Sequence, residues 1–171
     1  MTRLSVVLPT VRGQDSGIFA RARASVERQL ESGDQLIIVD DNAPGHQDKG
    51  AWARNQGMHR ARGTHIMFLD DDDVYLSGAL AAAREAAGEF PTLFRVRYPA
   101  CGGLLNWRRD DGIVWGEIST LGILVPNRMC LPDWDGMNWT NHESKFLVEC
   151  EQRLGRRTVL RPEIIAEALG A

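Results

Sequence analysis

Four consecutive aspartates, Asp70 to Asp73, follow a short apolar segment near the middle of the chain. Adjacent carboxylates repel one another, and each raises the free-energy cost of ionising the next. A divalent cation relieves that repulsion, and hard ions such as Mg²⁺ and Mn²⁺ prefer carboxylate and phosphate oxygens as ligands. The pattern therefore predicts a metal and phosphate site. A solvated acidic turn that caps the following helix is the alternative interpretation.

Three apolar segments have the character of buried strands, and two of them end in acidic residues. They are Leu4–Leu8, then Gln35–Val39 followed by Asp40 and Asp41, and His65–Leu69 followed by the four aspartates. Helical spacing of apolar residues predicts that helices separate these strands. The predicted helices span about Ile18–Leu30 and Asp48–Ala61. This alternation predicts a parallel sheet whose carboxyl edge carries both acidic groups, where ligands bind in such folds.

The composition is ordinary for a globular protein of one domain. The chain has 171 residues, a hydrophobic fraction of 43% and a net charge of −3, which gives no overall attraction to nucleic acid or anionic membranes. No apolar run approaches the roughly 20 residues that span a bilayer. The three cysteines are far apart and lack metal-ligand spacing. A cytoplasmic protein with no membrane segment is the expectation.

Four successive motifs resemble those of family 2 glycosyltransferases with the GT-A fold. They are a strand that ends in Pro-Thr, a strand that ends in Val-Asp-Asp, an Ala-Arg-Asn-x-Gly helix and a Leu-Asp-x-Asp-Asp turn, found at Leu4–Thr10, Ile37–Asn42, Ala53–Gly57 and Gly63–Asp73. The resemblance implies an α/β fold of the nucleotide-diphospho-sugar transferase type, with a Rossmann-like, mixed, mainly parallel sheet flanked by helices. It implies a single domain, 1–171, with a nucleotide-sugar-binding half, 1–90, and an acceptor-side half, 91–171.

The resemblance also implies an activity and a donor site. The activity is that of a metal-dependent, inverting glycosyltransferase, which moves a sugar from a nucleotide-diphosphate sugar, expected to be a UDP-sugar, to an acceptor hydroxyl. Matching the motifs assigns nucleotide-sugar binding to Pro9, Thr10, Asp41, Arg54, Asp70 and Asp71. Asp72, with Asp70, would hold Mn²⁺ or Mg²⁺. A structural ion pair is an equal alternative for Arg54. Asp73 is either a second metal ligand or, as the preferred interpretation, the N-cap of a helix over Leu76–Ala87.

The second half carries the candidate base. Strands are predicted over Thr92–Tyr98, Leu104–Trp107, Ile113–Trp115, Ile118–Val125 and Arg156–Glu163, and a helix from Asn141 to about Leu154. The family has a Glu-Asp pair where this chain has His142-Glu143, so Glu143 becomes the candidate general base. Partial burial is expected to raise the pKa of Glu143. A first-turn carboxylate stabilised by the helix dipole is the alternative, and His142 is a neighbour, an acceptor contact or a second candidate base.

The acceptor is not defined by the sequence. Trp134 and Trp139 are possible acceptor contacts, but tryptophans in loops as commonly pack onto a core. A glycan, a small molecule or a modified DNA base are the candidate acceptors, the last because the C-terminal half is rich in arginine; solvated arginines are the favoured interpretation. The short chain leaves little material for a closing lid, so a partner or a homodimer is expected to complete the site.

Two alternative functions compete with transfer. A non-catalytic nucleotide-sugar-binding domain would keep the donor motifs without a working base, and the altered Glu-Asp pair favours it. A sugar nucleotidyltransferase shares the architecture and the metal. It should have a Gly-rich phosphate loop after the first strand, which Val11–Gln14 does not provide.

Overall fold

The computed structural model describes residues 1–11, 16–42, 50–105, 118–128, 130–135 and 142–169. One eight-stranded sheet forms the centre of the described part of the chain. Its strands are β1 Leu4–Thr10, β2 Gln35–Asp40, β3 His65–Phe68, β4 Val74–Tyr75, β5 Thr92–Tyr98, β6 Gly103–Leu105, β7 Ile123–Pro126 and β8 Val159–Glu167. The helices are α1 Gly17–Glu27, α2 Ala51–Arg60, α3 Ala79–Ala86 and α4 His142–Leu154, with 3₁₀ turns at Pro99–Cys101 and Thr120–Gly122.

The strand order is β2-β1-β3-β7-β5-β8-β4, with β6 paired to β5. Strand β1 runs parallel to both β2 and β3, with Thr10 opposite Asp40 and Val7 opposite Phe68. The longer pairings are parallel, and the shorter ones, such as β3 with β7, are antiparallel. The three predicted parallel strands are therefore confirmed, and their carboxyl ends share one edge of the sheet.

Strand β1 is buried along its whole length because helices cover both faces of the sheet. Alternate side chains point to opposite faces of a strand. Leu4, Val6 and Leu8 pack in one core with apolar residues of α1 and α3. Val7 packs in a second core with residues of α2 and α4, among them Phe146. The result is three layers, with the sheet between two pairs of helices.

Helix α2 lies unusually close to β1. A Cβ added at Gly57 would be 2.2 Å from Val7 Cγ1 and 2.8 Å from Val7 Cγ2, so only glycine allows this approach. At its other end α2 begins after Gly50, whose φ of 80° is in the left-handed region that glycine adopts without strain. Gly50 is near Pro9 at the end of β1. The amino end of α2 is thereby brought to the carboxyl edge of the sheet.

The interpretation of Asp73 as a helix cap is wrong. The residues after it form β4, in which Val74 pairs with Glu167 and Tyr75 with Ala166, and α3 begins only at Ala79. Asp73 Oδ1 instead accepts a hydrogen bond of 2.6 Å from the backbone N–H of Leu169. The partner strand lies almost a hundred residues away in sequence, so no local pattern could indicate this pairing.

Two strands of the second half also differ from their predicted bounds. The predicted strand Ile118–Val125 begins with a 3₁₀ turn and becomes a strand only at Ile123. The last strand starts later and continues to Glu167, with an irregular register opposite Phe94 and Arg95. Pro162 lies within that irregular segment, which is consistent with its missing N–H. Most of the predicted hairpin, residues 106–117, lies outside the described residues. No helix in the described residues is both long enough and apolar enough to cross a membrane.

Gly57→Ala is expected to destabilise the protein by about 1–3 kcal/mol, because the added methyl overlaps the buried Val7 side chain. Denaturant unfolding would measure the change. Gly17→Ala is the matched control, since a Cβ there meets nothing within 4 Å. Combining Gly57→Ala with Val7→Ala should cost less than the sum of the single variants; strictly additive losses would contradict this account of the contact.

Candidate functional site

The candidate site is built on the carboxyl ends of β1, β2 and β3. The backbone N–H of Asp41 donates to the carbonyl oxygen of Thr10 across 2.9 Å, which places Asp41 beside the end of β1. The backbone N–H of Leu69 donates to Val7 across 3.0 Å, so the acidic turn begins directly beyond β3. The two acidic groups and the Pro9-Thr10 strand end therefore meet at one edge, as the sequence predicts.

Asp71 joins the acidic turn to the end of β1. Its Oδ2 accepts hydrogen bonds from Thr10 Oγ1 at 2.8 Å and from the backbone N–H of Val11 at 3.1 Å, and the residue is buried. Burying a carboxylate is costly unless hydrogen bonds compensate it, and these two donors do so. Thr10 and Asp71 thus form part of the frame of the site, and their predicted role in nucleotide-sugar binding stays a prediction.

Arg54 links α2 to the acidic turn. Its Nη2 lies 2.5 Å from Asp70 Oδ1, and the Arg54 side chain is only 5% exposed while that of Asp70 is 33% exposed. The alternative of an ion pair for Arg54 is therefore confirmed. Because Asp70 faces the solvent side of this pair, Arg54 places a buried positive charge directly behind the acidic turn.

The donor set of the turn fits a hard divalent cation that takes most of its ligands from elsewhere. Asp70, Asp71 and Asp73 each pair with a protein group, and Asp72 is half-buried in the same turn. Within the described ranges no three or more His, Cys, Asp or Glu side chains gather as a complete metal cage. Mg²⁺ is commonly held by one or two carboxylates together with substrate phosphates and water, and this turn offers that kind of site.

Glu143 lies in the first turn of α4, in contact with its neighbour His142. His142 Nε2 donates to Glu143 Oε1 across 2.9 Å, and Thr120 Oγ1 lies 3.5 Å from the same oxygen. Burial raises the pKa of Glu143. The hydrogen bond and charge of His142, a backbone hydrogen bond and the charge of Arg54 lower the pKa, and together they exceed the effect of burial. The net pKa lies below its ordinary value, so the expectation of a raised pKa is wrong.

Trp134 packs into the core, which agrees with the alternative interpretation of a loop tryptophan. The residue is 4% exposed, and its ring stacks on Phe146 with centroids 4.1 Å apart and planes 9° apart. Its role as an acceptor contact stays a prediction. Trp139, the other predicted contact, lies outside the described residues. Asn55, to which the motifs assign no role, hydrogen-bonds the Trp134 backbone; its place in the Ala-Arg-Asn motif is the only signal for it in the sequence.

Four arginines of the C-terminal half lie within ion-pair distance of carboxylates in the described residues. They are Arg97 with Glu167, Arg128 with Glu89, Arg153 with Glu149 and Arg161 with Glu163. Each of these four charges is balanced locally by an acid. The favoured interpretation of solvated arginines is supported.

The fold is the GT-A fold of nucleotide-diphospho-sugar transferases, as solved relatives demonstrate. The crystal structure of S. aureus TarS superposes with a TM-score of 0.72 at 11% sequence identity, over 98% of this chain and 37% of that chain. The structure of S. aureus TarS 1-349 in complex with UDP-GlcNAc superposes with a TM-score of 0.68 at 13% identity, over 99% of this chain and 59% of that chain. The predicted fold class is confirmed.

The chain belongs to glycosyl transferase family 2. The family model matches residues 43–138, which is more than half of the chain. A curated relative from Campylobacter jejuni, GalNAc(5)-diNAcBac-PP-undecaprenol beta-1,3-glucosyltransferase, is 28% identical over 112 residues, covering 52% of this chain and 36% of the relative. The chain thus spans little more than a third of that relative and 37% to 59% of the TarS chains.

Glu143→Gln is expected to lower the free energy of unfolding at neutral pH by an amount that shrinks as the pH falls. A carboxyl whose pKa is lowered by folding contributes stability above its ordinary pKa of 4.5 and loses that contribution as the pH falls through the lower folded value. Urea unfolding of both proteins from pH 7 to below pH 4 measures the difference. Glu85→Gln, at an exposed site on α3, is the control; a difference that stays constant with pH would contradict the assignment.

Proposed function

We propose that this protein is a metal-dependent, inverting glycosyltransferase that moves a sugar from a UDP-sugar to an acceptor hydroxyl. The observation that carries the proposal is the position of Arg54. Its guanidinium pairs with Asp70 on the acidic turn, and its charge acts on Glu143 of α4. This supports the proposal that the donor turn and the candidate base, which are far apart in sequence, serve one site, as a transfer reaction requires.

The donor side of the proposal assigns a part to each strand end. Asp41, beside Thr10, accepts a hydrogen bond from a ring N–H of the nucleotide base, which lies against Pro9. Asp72, with Asp70, would hold Mn²⁺ or Mg²⁺. UDP is the expected nucleotide, since a solved structure of TarS, which shares this fold, is a complex with UDP-GlcNAc. The ion would supply Lewis-acid stabilisation of the charge that develops on the departing diphosphate.

The acceptor side assigns the proton transfer to Glu143. Its low pKa keeps the carboxylate ionised at neutral pH, so it can accept the proton of an acceptor hydroxyl while that oxygen bonds to the anomeric carbon and the bond to the diphosphate breaks. The hydrogen bond from His142 orients the carboxylate and stabilises its charge. A glycan hydroxyl is the proposed acceptor, because the curated relative is named as a glucosyltransferase that acts on a lipid-linked glycan.

UDP binding should require both Mn²⁺ and Asp72. We expect calorimetry to show binding of UDP in preference to GDP, TDP and CDP, and Asp72→Asn to weaken Mn²⁺-dependent UDP binding by at least about tenfold, because the variant loses a charged ligand. Asp133→Asn is the matched control, since Asp133 lies by the carboxyl end of α2, away from the acidic turn. Binding that is indifferent to Mn²⁺ and to Asp72 would overturn the donor-site assignment.

Glu143→Gln should separate donor binding from transfer. UDP release from UDP-GlcNAc, measured with a panel of glycan acceptors, is expected to fall by about 10²–10⁴-fold in kcat, the usual contribution of a general base. Affinity for UDP should stay within about twofold, and Glu143→Asp should keep part of the activity. If the wild type binds the UDP-sugar but transfers it to no acceptor, the chain acts as a non-catalytic binding domain instead.

A further inference from the structure

We propose that Trp134 is a positioning residue that holds Arg54 of α2 and His142 of α4 in place around Glu143, and that Asn55 fixes Trp134 through its backbone. The inference rests on the proposed role of Glu143 as the base. It gives a function to Trp134, which the sequence suggests as an acceptor contact, and to Asn55, to which the sequence assigns no role.

The Asn55 side chain hydrogen-bonds both the backbone N–H and the backbone carbonyl oxygen of Trp134. Asn55 Oδ1 accepts from the Trp134 N–H at 2.7 Å, and Asn55 Nδ2 donates to the Trp134 carbonyl oxygen at 3.1 Å. An asparagine side chain carries one acceptor and one donor group, so this pair of hydrogen bonds fixes the position and orientation of the Trp134 backbone. The residue before Asn55 is Arg54, and the same turn of α2 therefore fixes both Trp134 and the ion pair with Asp70.

The ring of Trp134 contacts both halves of the site. The Arg54 guanidinium carbon lies 5.2 Å from the ring centroid, within the range of a cation–π contact. The His142 ring lies edge-on with centroids 6.0 Å apart. Phe146, one turn along α4 from His142, stacks on the indole, and Phe68 of β3 meets it edge-on at 5.1 Å. One buried side chain thus determines the spacing between α2, β3 and the first turn of α4.

The groups that Trp134 holds are the ones that set the charge of Glu143. His142 and Arg54 lower its pKa, Thr120 lies near the same carboxylate oxygen, and burial acts in the opposite direction. Two further ion pairs border this region, Arg54 with Asp70 and Lys145 with Asp135. If the ring is removed, Arg54 and His142 lose their shared contact while Glu143 stays inside the protein. Its ionisation should then become harder.

The test is a direct titration of Glu143 that needs no acceptor. Carboxyl carbon signals of ¹³C-labelled glutamates are followed with pH, and the Glu143 signal is identified as the one lost in Glu143→Gln. We expect Trp134→Ala to decrease the acid dissociation constant of Glu143 by about tenfold, the scale of one weakened charge-assisted hydrogen bond. Trp134→Phe keeps an aromatic ring between the two helices and should restore most of the wild-type value.

Asn55→Ala provides a second route if Trp134→Ala does not fold. It removes both bonds to the Trp134 backbone but leaves the ring, so we expect a smaller change in the same direction. Leu80→Ala is the control for general loosening, because Leu80 is a core residue on the other face of the sheet. It should lower Tm without moving the Glu143 titration.

Two results would overturn the proposal. One is an acid dissociation constant within about twofold of the wild-type value in the Trp134 and Asn55 variants despite a lower Tm, because the residues would then only stabilise the fold. The other is a change in Leu80→Ala as large as that in Trp134→Ala. A failure of the proposed function appears differently: the titration would still respond to Trp134, while UDP binding or transfer would be missing in the wild type.

Discussion

The partly buried ion pair between Arg54 and Asp70 is the interaction on which the rest of the site depends. A guanidinium that is only 5% exposed is costly to bury, and a carboxylate at 2.5 Å compensates that cost. Arg54 reaches Asp70 because α2 begins at the carboxyl edge and lies against β1 at Gly57, where no side chain fits. The tight packing of α2 therefore supports the electrostatics of the site as well as the core.

The acidic turn resolves the repulsion of its four carboxylates by giving them different surroundings. Asp70 has Arg54, Asp71 has the donors at the end of β1, and Asp73 accepts from the backbone near the end of β8. These contacts hold the turn against elements of the fold from three directions. A turn held so firmly presents Asp72 at a defined place on the carboxyl edge, which suits a metal shared with a diphosphate.

The acceptor side departs from the family pattern in chemistry but keeps its place in the fold. His142-Glu143 stands where the family has two acids, and the histidine becomes a hydrogen-bond donor to the candidate base. Burial is the largest single influence on the pKa of Glu143, but His142, a backbone hydrogen bond and Arg54 together outweigh it. The Glu143 carboxylate is therefore ionised at neutral pH. Trp134 packs against both helices that supply these groups, so the same contacts stabilise the core and position the groups around Glu143.

The sequence by itself determined the first half of the fold and the family. Buried strands, helical spacing and acidic strand ends are local patterns, and parallel strands bring their ends to one edge by necessity. What only the tertiary structure decided are contacts between residues far apart in the chain. Strand β4 forms because Val74 pairs with Glu167. Asp73 accepts a hydrogen bond from the backbone of Leu169, and Asn55 hydrogen-bonds the backbone of Trp134. The pKa of Glu143 belongs to this second group, because burial alone predicted the wrong direction and only the positions of His142 and Arg54 reverse it.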